Sequence, residues 1–134
     1  MDGYRHRIMD SLLEKKLQAK GAVLIEGPKW CGKTTTAEEI AASKILLART
    51  DVKNNFKSLL EIDTDAALSG DTPMLIDEWQ TVPKLWDAVR YTVDHRRKMG
   101  QFILTGSAVP DKEAEEEREH SGTGRFAWLT MRPM

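Results

Sequence analysis

Apolar residues along the chain follow two rhythms. Short unbroken apolar runs alternate with longer stretches in which apolar residues recur every third or fourth position. The first rhythm predicts strands buried on both faces, and the second predicts helices with one face on a core. Residues 1–20 carry Ile8, Leu12, Leu13 and Leu17 at helical spacing, so a flanking helix is expected, with Ile8, Leu12, Met9 and Leu13 as its apolar face. Lys20-Gly21 ends it. Ala22-Val23-Leu24-Ile25 reads as a buried strand, and Thr34 to Ala42 as a helix. Ile45-Leu46-Leu47-Ala48 reads as a second strand and Val52 to Ile62 as a helix, with a short one over Thr64 to Leu68.

Leu68 to Pro73 is a loop by its turn residues. Met74-Leu75-Ile76-Asp77-Glu78 follows as a third strand that ends in two carboxylates. Pro83 opens a helix from Lys84 to about Lys98, with Leu85, Trp86, Val89 and Val93 on one face, and Met99-Gly100 closes it. Gln101 to Ser107 is a fourth strand ending in hydroxyls, and Arg125 to Met131 is a fifth. Between them, Asp111 to His120 reads as a solvated charged stretch and Ser121 to Gly124 as a turn. No internal repeat or low-complexity linker is visible.

Strands that alternate with helices predict an α/β fold with a parallel sheet. Such sheets bind ligands beyond the carboxyl ends of their strands. That rule gathers three segments at one edge: the loop after Ile25, Asp77-Glu78, and Thr105 to Ser107.

Composition adds boundaries. A chain of 134 residues, 40% apolar and 31% charged, is sized and composed as one globular domain. A net charge of −1 gives no global basic field, so nucleic-acid binding is not expected. The single cysteine, Cys31, excludes an intramolecular disulfide and fits a reducing, cytoplasmic setting. No apolar run approaches a membrane span, and the N-terminus does not read as a signal peptide or a myristoylation site.

The strongest chemical signal is Gly27-Pro28-Lys29-Trp30-Cys31-Gly32-Lys33-Thr34, the phosphate-binding pattern G-x-x-x-x-G-K-[ST]. It lies between a predicted strand and a predicted helix, where loop N–H groups and the helix N-terminus cradle an anion. Lys33 reaches terminal phosphates as a mobile point charge. Thr34 offers a hydroxyl to magnesium, and Thr35 a hydrogen bond to the first phosphate. Asp77, at the end of an apolar strand, suits a magnesium ion held directly or through water. Glu78 is then free to orient or deprotonate a water in line with the terminal phosphate. Thr105 or Ser107 fits a sensor of that phosphate; both also fit plain capping hydroxyls. Trp30 and Cys31 read as packing and filler positions of the loop. Trp79, Trp86 and Trp128 read as core or interface residues. The basic run His95-Arg96-Arg97-Lys98 falls at a helix C-terminus, where the dipole favours cations.

Taken together these residues resemble a known family. Gly27 to Thr34 resembles a Walker A motif, Leu75-Ile76-Asp77-Glu78 a Walker B motif with its glutamate, and Phe102 to Ala108 a sensor-1 strand. Over about residues 4–134 the chain is similar to the AAA+-type P-loop ATPase domain of a broad bacterial and archaeal family whose longer members carry a second, C-terminal domain. The resemblance implies a three-layer core with a five-stranded parallel sheet in the order 5-1-4-3-2. It implies ATP as nucleotide and Mg2+ as metal. It also marks Arg125, in Gly122-Thr123-Gly124-Arg125, as a candidate arginine finger, with a structural arginine beside the last strand as the alternative. AAA+ modules continue into a helical lid. The chain is therefore expected to comprise a flanking helix or arm at 1–20 and an ATPase core at 21–134 that lacks the lid and the C-terminal domain.

Three functions follow as expectations. The first is magnesium-dependent ATP hydrolysis, with Glu78, Lys33, Thr105, Ser107 and Arg125 as catalytic groups and Thr34 and Asp77 as metal ligands. An uncovered adenine makes binding weak and turnover slow in isolation. The second is a nucleotide-gated binding module that hydrolyses little. The third, a small-molecule kinase, fits the Asp77-Glu78 pair less well, because a kinase acceptor needs no water-activating glutamate. The resemblance implies self-assembly or a missing domain as partner, since a finger often comes from a neighbour. A short chain fits a monomer as well.

Overall fold

The computed structural model describes residues 2–27, 33–106 and 126–130, with side chains for residues 11–27, 37–106 and 126–127. The chain order is α1 (Asp2–Ala19), β1 (Ala22–Glu26), α2 (Lys33–Ile40), β2 (Ser43–Leu46), α3 (Thr50–Ile62), α4 (Thr64–Ala67) and β3 (Met74–Asp77). A 3-10 turn (Trp79–Thr81), α5 (Leu85–Arg96), β4 (Phe102–Gly106) and β5 (Phe126–Thr130) complete it. All five strands lie parallel in one sheet, ordered β2-β3-β4-β1-β5. Read from the other edge this is 5-1-4-3-2, the order that the resemblance implied.

The apolar runs form strands because both faces of the sheet are covered. Residues alternate between two cores along each strand. Ala22, Leu24, Met74, Ile76, Phe102 and Leu104 join Phe56 and Leu60 of α3 and Leu85, Trp86, Val89 and Val93 of α5 on one face. Val23, Ile25, Leu75 and Ile103 join Leu13 and Leu17 of α1 and Ala37 of α2 on the other. The result is a three-layer sandwich with α1 and α2 on one side and α3 and α5 on the other.

Several boundaries move from their expected places. Among the described side chains α1 buries Leu13 and Leu17, one turn apart, whereas Leu12 is 39% exposed; those of Ile8 and Met9 lie outside the described residues. Leu12 sits about 100° round the helix from Leu13, and a single stripe cannot bury both neighbours equally. The second strand begins at Ser43 rather than Ile45, in register with Met74 of β3. Helix α5 stops at Arg96, because Arg97 turns left-handed (φ 53°) while its N–H bonds the Val93 carbonyl at 3.0 Å.

The return from α5 to β4 is tight. Gly100 has φ +65°, and a Cβ there would lie 3.2 Å from the Leu17 carbonyl oxygen. Its N–H donates to the Lys20 carbonyl at 2.9 Å, and that of Gln101 to Gly21 at 2.8 Å. Arg96 closes this end from beside it, donating to the Leu68 carbonyl at 2.9 Å and lying 5.7 Å over the Phe102 ring. The basic run at the helix end thus supplies at least one structural arginine.

Gly21 is the point where α1 gives way to β1 under α5. A Cβ on Gly21 would overlap the Val93 side chain. Gly21→Ala should therefore destabilise the fold by about 1–3 kcal/mol, as overpacking does. In urea unfolding, adding Val93→Ala should return part of that loss, a non-additivity expected of touching residues.

Candidate functional site

The carboxyl ends of β1, β3 and β4 lie side by side. Asp77 pairs in register with Thr105, and Thr105 with Ile25. Two residues beyond Ile25 the chain leaves the sheet at Gly27, whose N–H still donates to the Gly106 carbonyl at 3.3 Å. The glycine loop therefore starts from an inner strand, between β4 and β5, and α2 begins at Lys33 on the far side of that loop.

Strand parity fixes the face on which the polar residues stand. Asp77 lies two positions beyond Leu75, and Thr105 two beyond Ile103, so both belong to the face covered by α1 and α2. This is the face of the helix that follows the phosphate loop. Asp77 is 8% exposed and Thr105 is fully enclosed. The Thr105 hydroxyl donates to Asp77 Oδ1 at 2.5 Å. An ionised acceptor makes this one of the stronger kinds of hydrogen bond. It fixes the carboxylate plane at the mouth of the site. Thr105, which sequence reasoning offered as a phosphate sensor, thus contacts the aspartate from within the sheet.

Glu78 departs from the strand. Its backbone is left-handed, φ 58° and ψ 45°, an uncommon state for a residue with a side chain. The turn breaks the alternation, so β3 ends at Asp77 and not at Glu78. Two hydrogen bonds to the Glu78 carbonyl pin it, from the Thr81 N–H at 3.1 Å and the Thr81 hydroxyl at 2.9 Å. Its carboxylate Oε2 accepts from Gln80 Nε2 at 2.6 Å. Backbone strain of this kind gathers at functional sites, where surrounding contacts hold it.

The segment after Glu78 is anchored in the other core. Trp79 packs on Trp86 with ring centroids 5.3 Å apart, and Trp86 stacks on Phe126 at 4.1 Å and 15°. Trp79 and Trp86 are core residues, as expected. Sequence reasoning missed the 3-10 turn and Gln80. The available signal was a polar residue two places after the carboxylate pair, in Asp77-Glu78-Trp79-Gln80.

Of the other expected site residues, Lys33, Thr34 and Thr35 form the first turn of α2, and their side chains lie outside the described residues. Pro28, Lys29, Trp30, Cys31, Gly32, Ser107 and Arg125 lie outside them altogether, as does the side chain of Trp128. Among the described residues no helix is long and apolar enough to cross a membrane.

A five-stranded parallel sheet in this order, with a glycine loop leaving the inner strand β1 for a helix, is a P-loop nucleotide-binding core. Comparison with known proteins agrees. The AAA domain family matches residues 19–134, and the chain belongs to that family. Two curated proteins described as uncharacterized, one from Mycobacterium bovis and one from Mycobacterium tuberculosis, are each 33% identical over 100 residues. That alignment covers 74% of this chain and 22% of each relative, so the chain spans about a fifth of their length. The solved structure of C. elegans PCH-2 superposes with a TM-score of 0.51 at 15% identity, over 98% of this chain and 42% of that one. At that identity the likeness speaks for the fold alone. This is an AAA-type P-loop ATPase domain, of a class that binds nucleotides.

The Thr105–Asp77 bond is testable without a ligand. Thr105→Val keeps the shape and removes a buried hydrogen bond to a charged group. It should cost about 1.5–3 kcal/mol in urea unfolding. Thr105→Ser, which keeps the hydroxyl, should recover most of that.

Proposed function

We propose that the domain hydrolyses ATP to ADP and phosphate at the carboxyl edge of β1, β3 and β4. The observation that carries this reading is the pair Asp77-Glu78. One carboxylate is held on the α2 face by Thr105, and the next is swung out of the strand by a left-handed turn. Two adjacent carboxylates with different settings suit two different tasks.

In this reading the loop from Gly27 through Pro28, Lys29, Trp30, Cys31 and Gly32 cradles the phosphates with its N–H groups. Lys33 neutralises charge on the terminal phosphates, and Thr35 bonds the first. Oxygen donors are what a hard cation requires, and Asp77 offers a fixed carboxylate. Asp77 and Thr34 would hold Mg2+, which when bound shields the charge that develops on the phosphates. Glu78 orients the attacking water and accepts its proton. Ser107 or Thr105 senses the terminal phosphate; the burial of Thr105 favours an indirect part, through Asp77. Arg125 is proposed as the arginine finger, which acts on a neighbour's site. A finger of that kind works only between copies, so turnover should rise with protein concentration.

A second reading draws support from the relatives' length. A domain that spans about a fifth of them can serve by reporting nucleotide occupancy to the remainder. The two readings part on turnover. Lys33→Ala should weaken ATP binding about tenfold to a hundredfold, the range of a lost charged hydrogen bond. Glu78→Gln should keep binding and lower phosphate release by about 10²–10⁴, the range for a general base. Titration of ATP with magnesium, beside a phosphate-release assay, reads both. Equal release from wild type and Glu78→Gln would remove Glu78 from the chemistry, and tight binding with no release at any concentration would select the second reading.

A further inference from the structure

We infer that Gln80 is the positioning residue of the site, the group that sets where the Glu78 carboxylate points. The inference rests on the reading of Glu78 as the water-orienting base. A glutamate at the end of a strand has rotatable bonds enough to wander, and fixing it has an entropic cost. Here the backbone is fixed first, by the two Thr81 bonds to the Glu78 carbonyl. The side chain is fixed next, by the 2.6 Å bond from Gln80 Nε2 to Oε2. In this reading the second carboxylate oxygen is the one that meets the water.

The orientation of the amide follows from its chemistry. A carboxylate accepts only, so the Gln80 nitrogen must face it and the Gln80 oxygen must face away. That oxygen, Oε1, is buried and has no hydrogen-bond partner among the described residues. A Cβ on Gly106 would come within 2.7 Å of it and within 2.9 Å of Trp79 Nε1. The glycine in Thr105-Gly106-Ser107 thus leaves room at the end of β4 for the amide from the 3-10 turn. Leaving a buried carbonyl unpaired is unfavourable, and a residue chosen for stability alone would not do it. The donor on the other side of the same amide supplies a reason for its presence.

The arrangement also explains the left-handed turn. Gln80 can reach back to Glu78 only if the chain doubles over between them, which the 3-10 turn at Trp79–Thr81 does. Trp79, packed on Trp86, holds that turn against the α5 core. The turn that carries the carboxylate is therefore anchored in the core under α3 and α5.

Two measurements on the full chain test this. Gln80→Met keeps the length and bulk of the side chain and removes both the donor and the orphaned oxygen. It should lower kcat about tenfold to a hundredfold, the scale of a misplaced catalytic group. KM should be unchanged and the urea midpoint no lower than that of wild type. An unchanged kcat in Gln80→Met, beside an active wild type, would overturn the inference. So would a loss of kcat that merely tracks a loss of stability. The second measurement needs no turnover. In the 15N–1H spectrum one Gln80 amide proton should be shifted downfield, and Glu78→Ala should abolish that shift. If wild type releases no phosphate, the proposed hydrolysis fails, yet the amide signal still decides whether Gln80 holds Glu78. A signal indifferent to Glu78→Ala overturns the inference in either case.

Discussion

A parallel sheet covered on both faces leaves each strand residue only two places to go. This constraint organises the whole molecule. Along β1, β3 and β4 it divides the apolar residues into two cores, one under α1 and α2 and one under α3 and α5. It applies equally to the polar residues at the strand ends. Asp77 and Thr105 inherit their side of the sheet from Leu75 and Ile103, and that side carries the helix entered from the phosphate loop. Placing the site therefore needs no recognition between distant segments beyond the hydrophobic alternation that folds the sheet.

Where the alternation stops, chemistry of another kind begins. Glu78 leaves the strand register in a conformation that a side chain rarely adopts. The contacts that hold it come from outside the sheet: a hydroxyl and an amide two or three residues on, and an indole anchored in the α5 core. Asp77 is held by the sheet and Glu78 by the turn. Two neighbours in sequence are thus fixed by independent parts of the structure, and this lets them serve different purposes within a few ångströms.

The sheet and its order were readable because strong signals agreed. The runs at Ala22–Ile25, Met74–Ile76 and Phe102–Leu104 are too apolar and too short to be anything but buried strands. The glycine loop anchored the first of them, and the resemblance supplied the strand order. Edges were less legible. Ser43 and Lys44 are not strand-forming residues, and they enter the sheet only because β3 offers a partner. Leu12 and Leu13 are equally apolar, and sequence alone does not say which one faces the core. The carboxylate pair was visible as chemistry, but its support was not. The roles of Gln80 and Gly106 depend on an approach between the 3-10 turn and the end of β4 that no local pattern records. Arg96 looked like one more helix-end cation, and its bond to the Leu68 carbonyl spans 28 residues.

The stack of Trp79, Trp86 and Phe126 joins two places that the sheet keeps apart. Trp79 follows Glu78 directly, and Phe126 opens the edge strand β5. Between them lies Trp86 of α5, so three aromatic rings stand in series. Flat, stiff groups packed in series behave as a strut: they transmit displacement and do not absorb it. A displacement of the edge strand would therefore reach the residue beside Glu78 through these packed rings. Trp86 is common to both contacts, so its size sets the spacing between Trp79 and Phe126.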